Sequence, residues 1–262
     1  MTDIHPSAIV HPRAELGEGV KIGPYCIVEE DVVLGDGTSL ASNVFVGRWT
    51  TLGKHNEVWP GAVLGGPPQD RKYKGERSYL RIGDDNVIRE FVTLHRASGE
   101  ECATVVGNDN YLMAYCHLGH NVTVGSHVTM ANGVGVSGHV TIEDLANIGG
   151  LTGVHQFVRI GKVAMVGGMS RIVRDVPPFM LTEGNPANVR DINAVGLRRY
   201  GASADARLSL HKACKLLFRS EMGLSHAIEV VRREVPPCEE LEYLLQFVDS
   251  GRQGRYGRQD QR

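Results

Sequence analysis

The sequence predicts a mainly β protein: a left-handed parallel β-helix, or hexapeptide solenoid, with a C-terminal α-helical domain. Two observations carry this prediction. Aliphatic residues recur at every sixth position through most of the chain, and the recurrence stops at Asp175-Val-Pro-Pro, after which the pattern becomes helical. A fixed six-residue period is the mark of a parallel β-helix, in which each hexad adds one short strand to a shared core.

The first run of hexads begins near the N-terminus and continues without a gap to Leu64. Its aliphatic positions are Ile4, Val10, Leu16, Ile22, Val28, Leu34, Leu40, Val46, Leu52, Val58 and Leu64. A β-sandwich would show alternation with period two, but it has no reason to keep a six-residue phase through its turns. The phase lapses at residues 66–79 and 97–103, where we predict loops that leave the solenoid. Long loops in compact folds are often functional.

The phase returns at Ile82, Ile88 and Leu94 and runs without a gap from Val106 to Ile172. If three hexads close one triangular coil, as in known left-handed hexapeptide helices, residues 18 apart stack with a separation of roughly 4.8 Å. His120 then lies above Gly138 and Gln156, and Asn121 lies above His139 and Phe157. The spacing therefore predicts that one imidazole meets the backbone N–H of a glycine in the next coil.

The C-terminal part has a different organisation, and we predict a β-helix at residues 1–186 and a helical domain at 187–262. Consecutive prolines after Val176 remove the donors that a β-ladder needs. Ser203, Ser225 and Pro236-Pro237 mark the starts of three predicted helices. The polar tail, residues 251–262, is predicted to be frayed.

Basic residues are concentrated at the start of this helical domain. Between residues 196 and 219 one acid, Asp205, accompanies Arg198, Arg199, Arg207, Lys212, Lys215 and Arg219. Such a run is either a solvated helix face or a docking surface for an anionic partner, and its charge alone favours neither.

Composition limits the classes of protein. The 32 glycines among 262 residues suit a fold with tight corners, where positive φ is often needed. Five cysteines without a CxxC spacing indicate neither a disulfide framework nor a zinc ribbon, and they favour a reducing compartment. No stretch resembles a signal peptide or a membrane span, so we expect a cytoplasmic protein without stable membrane insertion. The net charge of −2 by itself indicates nothing about partners, and no nucleic-acid partner is expected.

Several motifs occur in the order that one family shows. They are PPQDRKYKGE in the first loop, then IREFVTLHR, HLGHN, SGHV, VHQF, MVGGMS, DVPPF, GNPA and NAVGLRRYG. Over nearly its whole length the chain resembles the bacterial UDP-N-acetylglucosamine O-acyltransferases that begin lipid A biosynthesis. The resemblance implies a homotrimer with active sites between neighbouring subunits. It also implies transfer of a 3-hydroxyacyl group from the phosphopantetheine of acyl carrier protein to the sugar 3-hydroxyl, with no cofactor or metal.

The resemblance assigns three catalytic positions. His120 matches the family's general base, and an imidazole suits the removal of a proton from a poorly nucleophilic sugar hydroxyl. Gly138 matches the residue whose backbone N–H meets the thioester oxyanion. The orienting aspartate of the family is Asn121 here. An amide can fix the imidazole tautomer but cannot stabilise the imidazolium by charge, so we predict weaker activation unless a carboxylate from elsewhere compensates.

The remaining assignments concern substrates. His117, His139, His155 and Gln156 match positions that line the nucleotide-sugar and pantetheine site. Asp70 and Lys72 match residues that contact the sugar nucleotide from a neighbouring chain. Asn193 and Arg199 match residues where the helical domain meets phosphates, although Val195 replaces a glutamate that some members carry. Gly168 matches the position that sets acyl-chain length, and its glycine implies a longer chain than a bulky residue would allow.

Further functions stay open at the level of sequence. The acceptor could be a 3-amino analogue of the sugar, because an amine needs less help from a base than a hydroxyl does. His117 and His120 could bind zinc as in hexapeptide trimers of the γ-carbonic anhydrase type, but two residues separate them where that type has four. Three more classes are compatible with the hexads: an acetyl-coenzyme A-dependent acetyltransferase, the N-acyltransferase of the same pathway and a non-catalytic hexapeptide scaffold.

Overall fold

A computed structural model describes residues 2–252, and in it the chain winds into a three-sided parallel β-helix capped by helices. Most strands are two residues long, and from Ile22 onward the second residue of each two-residue strand is buried. One continuous apolar core runs through the coils from Val20 to Val176. The six-residue period thus arises because each strand places one aliphatic side chain inside and one residue outside.

The strands of the first half are β1 Asp3–Ile4, β2 Ile9–Val10, β3 Glu15–Leu16, β4 Lys21–Ile22, β5 Ile27–Val28, β6 Val33–Leu34, β7 Ser39–Leu40, β8 Phe45–Val46, β9 Thr50–Leu52, β10 Glu57–Val58, β11 Val63–Gly66, β12 Tyr79–Ile82, β13 Val87–Ile88 and β14 Thr93–His95. Those of the second half are β15 Ala103–Val106, β16 Tyr111–Leu112, β17 His117–Leu118, β18 Thr123–Val124, β19 Thr129–Met130, β20 Gly135–Val136, β21 Thr141–Ile142, β22 Asn147–Ile148, β23 Gly153–Val154, β24 Arg159–Ile160, β25 Met165–Val166, β26 Arg171–Ile172, β27 Met180–Gly184 and β28 Ala187–Ile192.

Every third strand joins the same sheet, which gives sheets of 11, 9 and 8 strands. Parallel pairs such as Leu118↔Val136 and Val124↔Ile142 are 18 residues apart, so the predicted stacking interval is confirmed. The two lapses in the period lengthen single coils without breaking a ladder. Leu52 pairs with Ile82 across the first lapse, and Ile82 pairs with Val106 across the second.

The interpretation that the glycines serve the corners through positive φ is wrong for most corners. Non-glycine residues, from Tyr25 to Phe179, adopt positive φ there, and Asn121 and His139 are among them. Many glycines instead follow the buried residue of a strand, where neighbouring coils come closest. A Cβ at Gly35 would lie 2.5 Å from the Gly53 carbonyl carbon. Close approach of successive coils, rather than left-handed backbone, is what excludes a side chain here.

A buried ladder of amides continues through the coils that carry the two loops. The side-chain nitrogen of Asn86 donates to Asn56 Oδ1 at 2.9 Å, and that of Asn110 donates to Asn86 Oδ1 at 2.9 Å. All three residues are buried, so these bonds satisfy polar groups that water cannot reach. The ladder keeps adjacent coils in register although the chain between them has excursions of different length.

After the last coil, β27 joins the 11-stranded sheet and pairs with β28 in an antiparallel hairpin. The helices that follow in the described residues are α1 Ala194–Tyr200, α2 Ala204–Phe218, α3 Leu224–Glu234 and α4 Glu239–Arg252. Ser203 caps α2 as predicted, and its side chain accepts from Ala206 N–H at 3.0 Å. The predicted cap at Ser225 is wrong, because α3 begins one residue earlier, after Gly223, whose extended φ and ψ allow it to serve as the N-cap.

The division at residue 186 stays a prediction, and residues 253–262 of the predicted frayed tail lie outside the described residues. Arg159, on β24, connects the β-helix to α4. Its Nε lies 2.9 Å from Asp175 Oδ2, while its other nitrogens donate to Ser250 Oγ and to the Phe247 carbonyl.

No helix among residues 2–252 combines the length and apolar character that crossing a bilayer would require.

Candidate active site

The centre of the candidate site is the pair His120 and Asn121, at the corner that follows β17. His120 Nδ1 lies 2.9 Å from Asn121 Oδ1. An amide oxygen only accepts hydrogen bonds, so Nδ1 carries the proton and donates it. The lone pair of the neutral ring is then on Nε2, which makes this nitrogen the basic one.

Asn121 is held in one orientation by the second loop. Its Oδ1 accepts the Ser98 N–H at 3.0 Å, and its Nδ2 donates to the Ser98 carbonyl at 3.1 Å. Its own N–H donates to Thr104 Oγ1 at 2.9 Å. If the amide oxygen and nitrogen were exchanged, the NH₂ group would face the Ser98 N–H and the oxygen would face the Ser98 carbonyl. The two Ser98 contacts therefore determine that the oxygen faces His120.

The imidazole of His120 lies against Gly138 in the next coil. A Cβ built on Gly138 would be 2.7 Å from both Nε2 and Cε1 of the ring. A Cβ on Gly119 would be 2.9 Å from the Gly138 nitrogen, so neither glycine leaves room for a side chain. Within residues 2–252, the Gly138 N–H donates to no hydrogen bond. The His120 imidazole and a free backbone donor are therefore adjacent, as the stacking interval predicts.

His139 and Phe157 continue this corner in the next two coils. The rings of His120 and His139 meet edge to face with centroids 5.1 Å apart, and His139 stacks on Phe157 at 4.8 Å. Desolvation, together with the charge of His120, lowers the pKa of His139, while the Asp70 carboxylate acts in the opposite direction. His139 is thus a predominantly neutral hydrogen-bonding group at neutral pH.

The outward face of the nine-stranded sheet carries a second polar group. His117 Nδ1 lies 2.8 Å from Thr93 Oγ1, and the rings of His117 and His95 meet with centroids 5.2 Å apart. Burial, followed by the charge of His95, lowers the pKa of His117. Farther along the same corner, His155 Nδ1 lies 3.3 Å from the Gln156 carbonyl, and the Gln156 side chain is exposed.

The first loop folds back onto the second. His95 Nδ1 donates to the Pro67 carbonyl at 2.7 Å, and the Gly99 N–H donates to Glu76 Oε1 at 3.0 Å. Asp70 accepts the Lys72 N–H and the Ser98 hydroxyl, each at 2.9 Å. These two bonds, and to a lesser degree the charge of His120, lower the pKa of Asp70.

Asp70 is therefore ionised beside the His120 corner of its own chain, while Lys72 is exposed. The prediction that both residues serve a neighbouring chain's site stays a prediction.

Comparison with known proteins identifies the family. Residues 175–256 match the family described as "Udp N-acetylglucosamine O-acyltransferase; Domain 2", and residues 13–48 and 103–138 match bacterial transferase hexapeptide repeats. A curated acyl-[acyl-carrier-protein]–UDP-N-acetylglucosamine O-acyltransferase from Thermodesulfovibrio yellowstonii is 44% identical over 97% of this chain and 99% of its own. The chain belongs to this family.

Solved structures agree. The UDP-N-acetylglucosamine acyltransferase of Bacteroides fragilis has a TM-score of 0.91 at 36% identity, covering 94% of this chain and 96% of that one. The corresponding protein of Acinetobacter baumannii has a TM-score of 0.90 at 41% identity over the same shares. The predicted fold class, a left-handed parallel β-helix with C-terminal helices, is confirmed, and so is the prediction that the protein is an acyltransferase.

The two residues predicted in the helical part of this O-acyltransferase lie in different surroundings. Asn193 caps α1: its Oδ1 accepts the Gly196 N–H at 2.9 Å, and its Nδ2 donates to the Val163 carbonyl at 2.8 Å. Its amide thus already has a structural partner on each side. Arg199, in the last turn of α1, is exposed. Their contact with phosphates stays a prediction.

Gly168 lies one coil from Gly150, so two residues without side chains stack at this corner. A Cβ on Gly168 would lie 3.3 Å from the Gly150 carbonyl oxygen, and Gly168 is exposed. Gly168 follows β25, at the corner between the 11- and nine-stranded sheets, whereas His120 follows β17, at the next corner. Gly168 is 48 positions after His120, which corresponds to roughly 13 Å along the helix axis.

Sequence reasoning missed Ser98, Thr93 and Thr104. Ser98 lies in the second lapse, where the period stops and residue spacing no longer predicts which residues are neighbours in space. Thr93 precedes the buried hexad residue Leu94, and Thr104 lies two residues before Val106, which identifies their strands but not their partners. The one signal in the sequence was that both lapses are long polar insertions in an otherwise regular solenoid.

Replacement of Gly138 by alanine tests the contact with His120. Because the new Cβ would lie 2.7 Å from Nε2, the imidazole must move, and we expect kcat/KM to fall about 100-fold or more. Steady-state kinetics with a melting-temperature measurement checks this. Gly223→Ala is the matched control, since no atom lies within 4 Å of its Cβ. Retained activity in Gly138→Ala would contradict the close packing of ring and glycine.

Proposed function

We propose that this protein transfers a 3-hydroxyacyl group from acyl carrier protein to the 3-hydroxyl of UDP-N-acetylglucosamine, the first step of lipid A biosynthesis, with His120 as general base. Membership of the O-acyltransferase family supports the reaction. The observation that carries the role of His120 is its Nδ1–H bond to Asn121, which leaves Nε2 free beside the unengaged N–H of Gly138.

The proposed reaction uses this geometry as follows. His120 Nε2 accepts the proton of the sugar hydroxyl as the oxygen attacks the thioester carbonyl carbon. The carbonyl oxygen gains negative charge and accepts a hydrogen bond from the Gly138 N–H. When the C–S bond breaks, the imidazolium returns its proton to the leaving thiolate. The products are the O-acylated UDP-sugar and the free thiol of the phosphopantetheine arm.

The His120 assignment is tested by His120→Ala. Loss of a general base lowers kcat by about 10²- to 10⁴-fold, and we expect a decrease in this range with a modest change in KM. Product formation from a 3-hydroxyacyl-acyl carrier protein and UDP-N-acetylglucosamine, followed by mass spectrometry, measures it. His127→Ala, an exposed histidine near Asp109, is the control and should keep wild-type rates. A rate within threefold of wild type in His120→Ala would remove His120 as the base.

A second acceptor, the 3-amino analogue of the UDP-sugar, is favoured by one observation. The group that orients His120 is an amide rather than a carboxylate, and an amine needs less activation than a hydroxyl. Competition between the two UDP-sugars for one acyl donor, with both products quantified in the same reaction, decides between them. Preference for the amine would make the enzyme an N-acyltransferase on the same scaffold.

Gly168 is proposed as the residue that limits acyl-chain length. It is exposed, next to Gly150, and distant from His120 along the axis, which suits the end of a groove rather than its reacting end. A side chain there would shorten the space, so Gly168→Met should shift preference toward a donor several carbons shorter. Parallel assays with a series of 3-hydroxyacyl donors measure this preference. Unchanged selectivity would exclude Gly168 as the ruler.

The functional unit is proposed to be a homotrimer. His120 and Gly168 occupy different corners of one chain, which supports a site completed by a neighbouring copy. The corner that bears Gly168 also carries a vertical row of exposed apolar side chains. Their exposed fractions are 51% for Phe91, 64% for Tyr115, 68% for Leu151 and 76% for Met169. Such a contiguous apolar surface is typical of a protein interface.

A charge in this row should disrupt the trimer. In Leu151→Lys, an unpaired ammonium would be buried between chains, so we expect monomers or dimers at concentrations where wild type is trimeric. Analytical ultracentrifugation measures the assembly. Leu208→Lys alters a leucine of comparable exposure, 54%, on α2 and should leave the mass unchanged. A trimeric Leu151→Lys would place the interface elsewhere.

Acyl carrier protein is proposed to dock near α1 and α2. The exposed basic residues there are Arg198, Arg199, Lys212, Lys215 and Arg219, and acyl carrier proteins are acidic.

The five cysteines are all free thiols, which supports a reducing, cytoplasmic location.

A further inference from the structure

The starting observation is a hydrogen-bonded connection from a carboxylate to the proposed base. Asp70 Oδ2 accepts the Ser98 hydroxyl at 2.9 Å, Ser98 binds Asn121 through its N–H and its carbonyl, and Asn121 Oδ1 accepts from His120 Nδ1 at 2.9 Å. Three segments distant in sequence meet here: the first loop, the second loop and the corner after β17. Ser98 is the residue that touches the other two.

The amide at position 121 leaves one requirement unmet. It can orient the ring and fix its tautomer, but it has no charge to stabilise the imidazolium that forms during the reaction. A nearby anion would supply this stabilisation without contacting the ring. Asp70 is ionised, and its position is determined by its bonds to Lys72 N–H and to Ser98.

The pKa of Asp70 indicates an electrostatic interaction between Asp70 and His120. The charge of His120 contributes to the low pKa of Asp70, after the hydrogen bonds from Lys72 and Ser98. Because the interaction is mutual, the carboxylate stabilises the imidazolium as much as the imidazolium stabilises the carboxylate. Asp70 also acts on His139, the next ring along the corner.

We propose that Asp70, held in place by the Ser98 hydroxyl, supplies the negative charge that Asn121 lacks and so assists His120 in catalysis. This inference rests on the proposed function of His120 as base. Ser98 is a positioning residue, since it acts through Asp70 and Asn121. The arrangement distributes over two residues what one aspartate at position 121 would do: the amide orients the ring and the loop carboxylate stabilises its charge.

A double-mutant cycle between positions 98 and 121 tests the proposal. Ser98→Ala removes the hydroxyl but keeps the backbone bonds to Asn121, so we expect kcat to fall about tenfold with KM for the UDP-sugar within twofold. In an Asn121→Asp background the charge is already beside His120, and the same change should alter kcat by less than about twofold. Ser98→Thr, which keeps a hydroxyl, should restore most of the rate.

The contradicting outcomes are distinct. An equal loss in both backgrounds would show that Ser98 does not act through the missing charge, and a change confined to KM would show a role in substrate binding alone. Ser126→Ala is the control, because it also removes a serine hydroxyl that makes a hydrogen bond, in this case one that accepts the Asn108 N–H at 3.0 Å. It should keep the wild-type kcat.

A measurement on the ligand-free protein separates this inference from the proposed function. The pKa of Asp70, followed by NMR of its carboxyl carbon, should rise in Ser98→Ala and also in His120→Gln. Lys72, Glu76, His120 and His139 are the charged or titratable groups that interact with Asp70, and Lys72→Met should also raise its pKa. An Asp70 pKa that does not respond to His120→Gln would overturn the inference even if acyl transfer is found. Absence of transfer with a responsive Asp70 would instead overturn the function.

Discussion

The constraint on which the structure depends is the close stacking of successive coils. Each coil hydrogen-bonds to the next along three parallel sheets, so a residue's neighbours above and below are determined by a count along the chain. Glycines after the buried hexad residues permit this approach, as at Gly35, where any side chain would meet the backbone of the next coil. The same closeness brings His120 against Gly138, so the packing of the scaffold and the geometry of the site have one cause.

The site combines this regular scaffold with two irregular loops. Solenoid corners hold the proposed base and the proposed oxyanion donor, because their relative position must be exact and a β-ladder is rigid. The loops supply Asp70 and Ser98: the Ser98 hydroxyl donates to Asp70, and the Ser98 backbone bonds the corner residue Asn121. Because these contacts are hydrogen bonds to the corner itself, the loops are extensions of the site rather than solvated excursions.

Substitution of an amide for a carboxylate beside the base separates two tasks that one residue often performs. Orientation of the ring requires an acceptor of fixed direction, which Asn121 provides because Ser98 binds both ends of its amide. Stabilisation of charge requires an anion at moderate distance, the role proposed for Asp70, whose pKa the charge of His120 helps to lower.

The sequence by itself determined the repeat, the coil of 18 residues and the meeting of His120 with Gly138, because a period fixes spatial neighbours wherever it is unbroken. It also indicated the helix start at Ser203 through a local capping pattern. The tertiary structure alone decided the partners of Asn121 and Asp70, the start of α3 at Leu224 and the row of exposed apolar corners. These features depend on loops and on the directions of side chains, for which the sequence has no periodic signal. They are stabilised by contacts between segments far apart in the sequence.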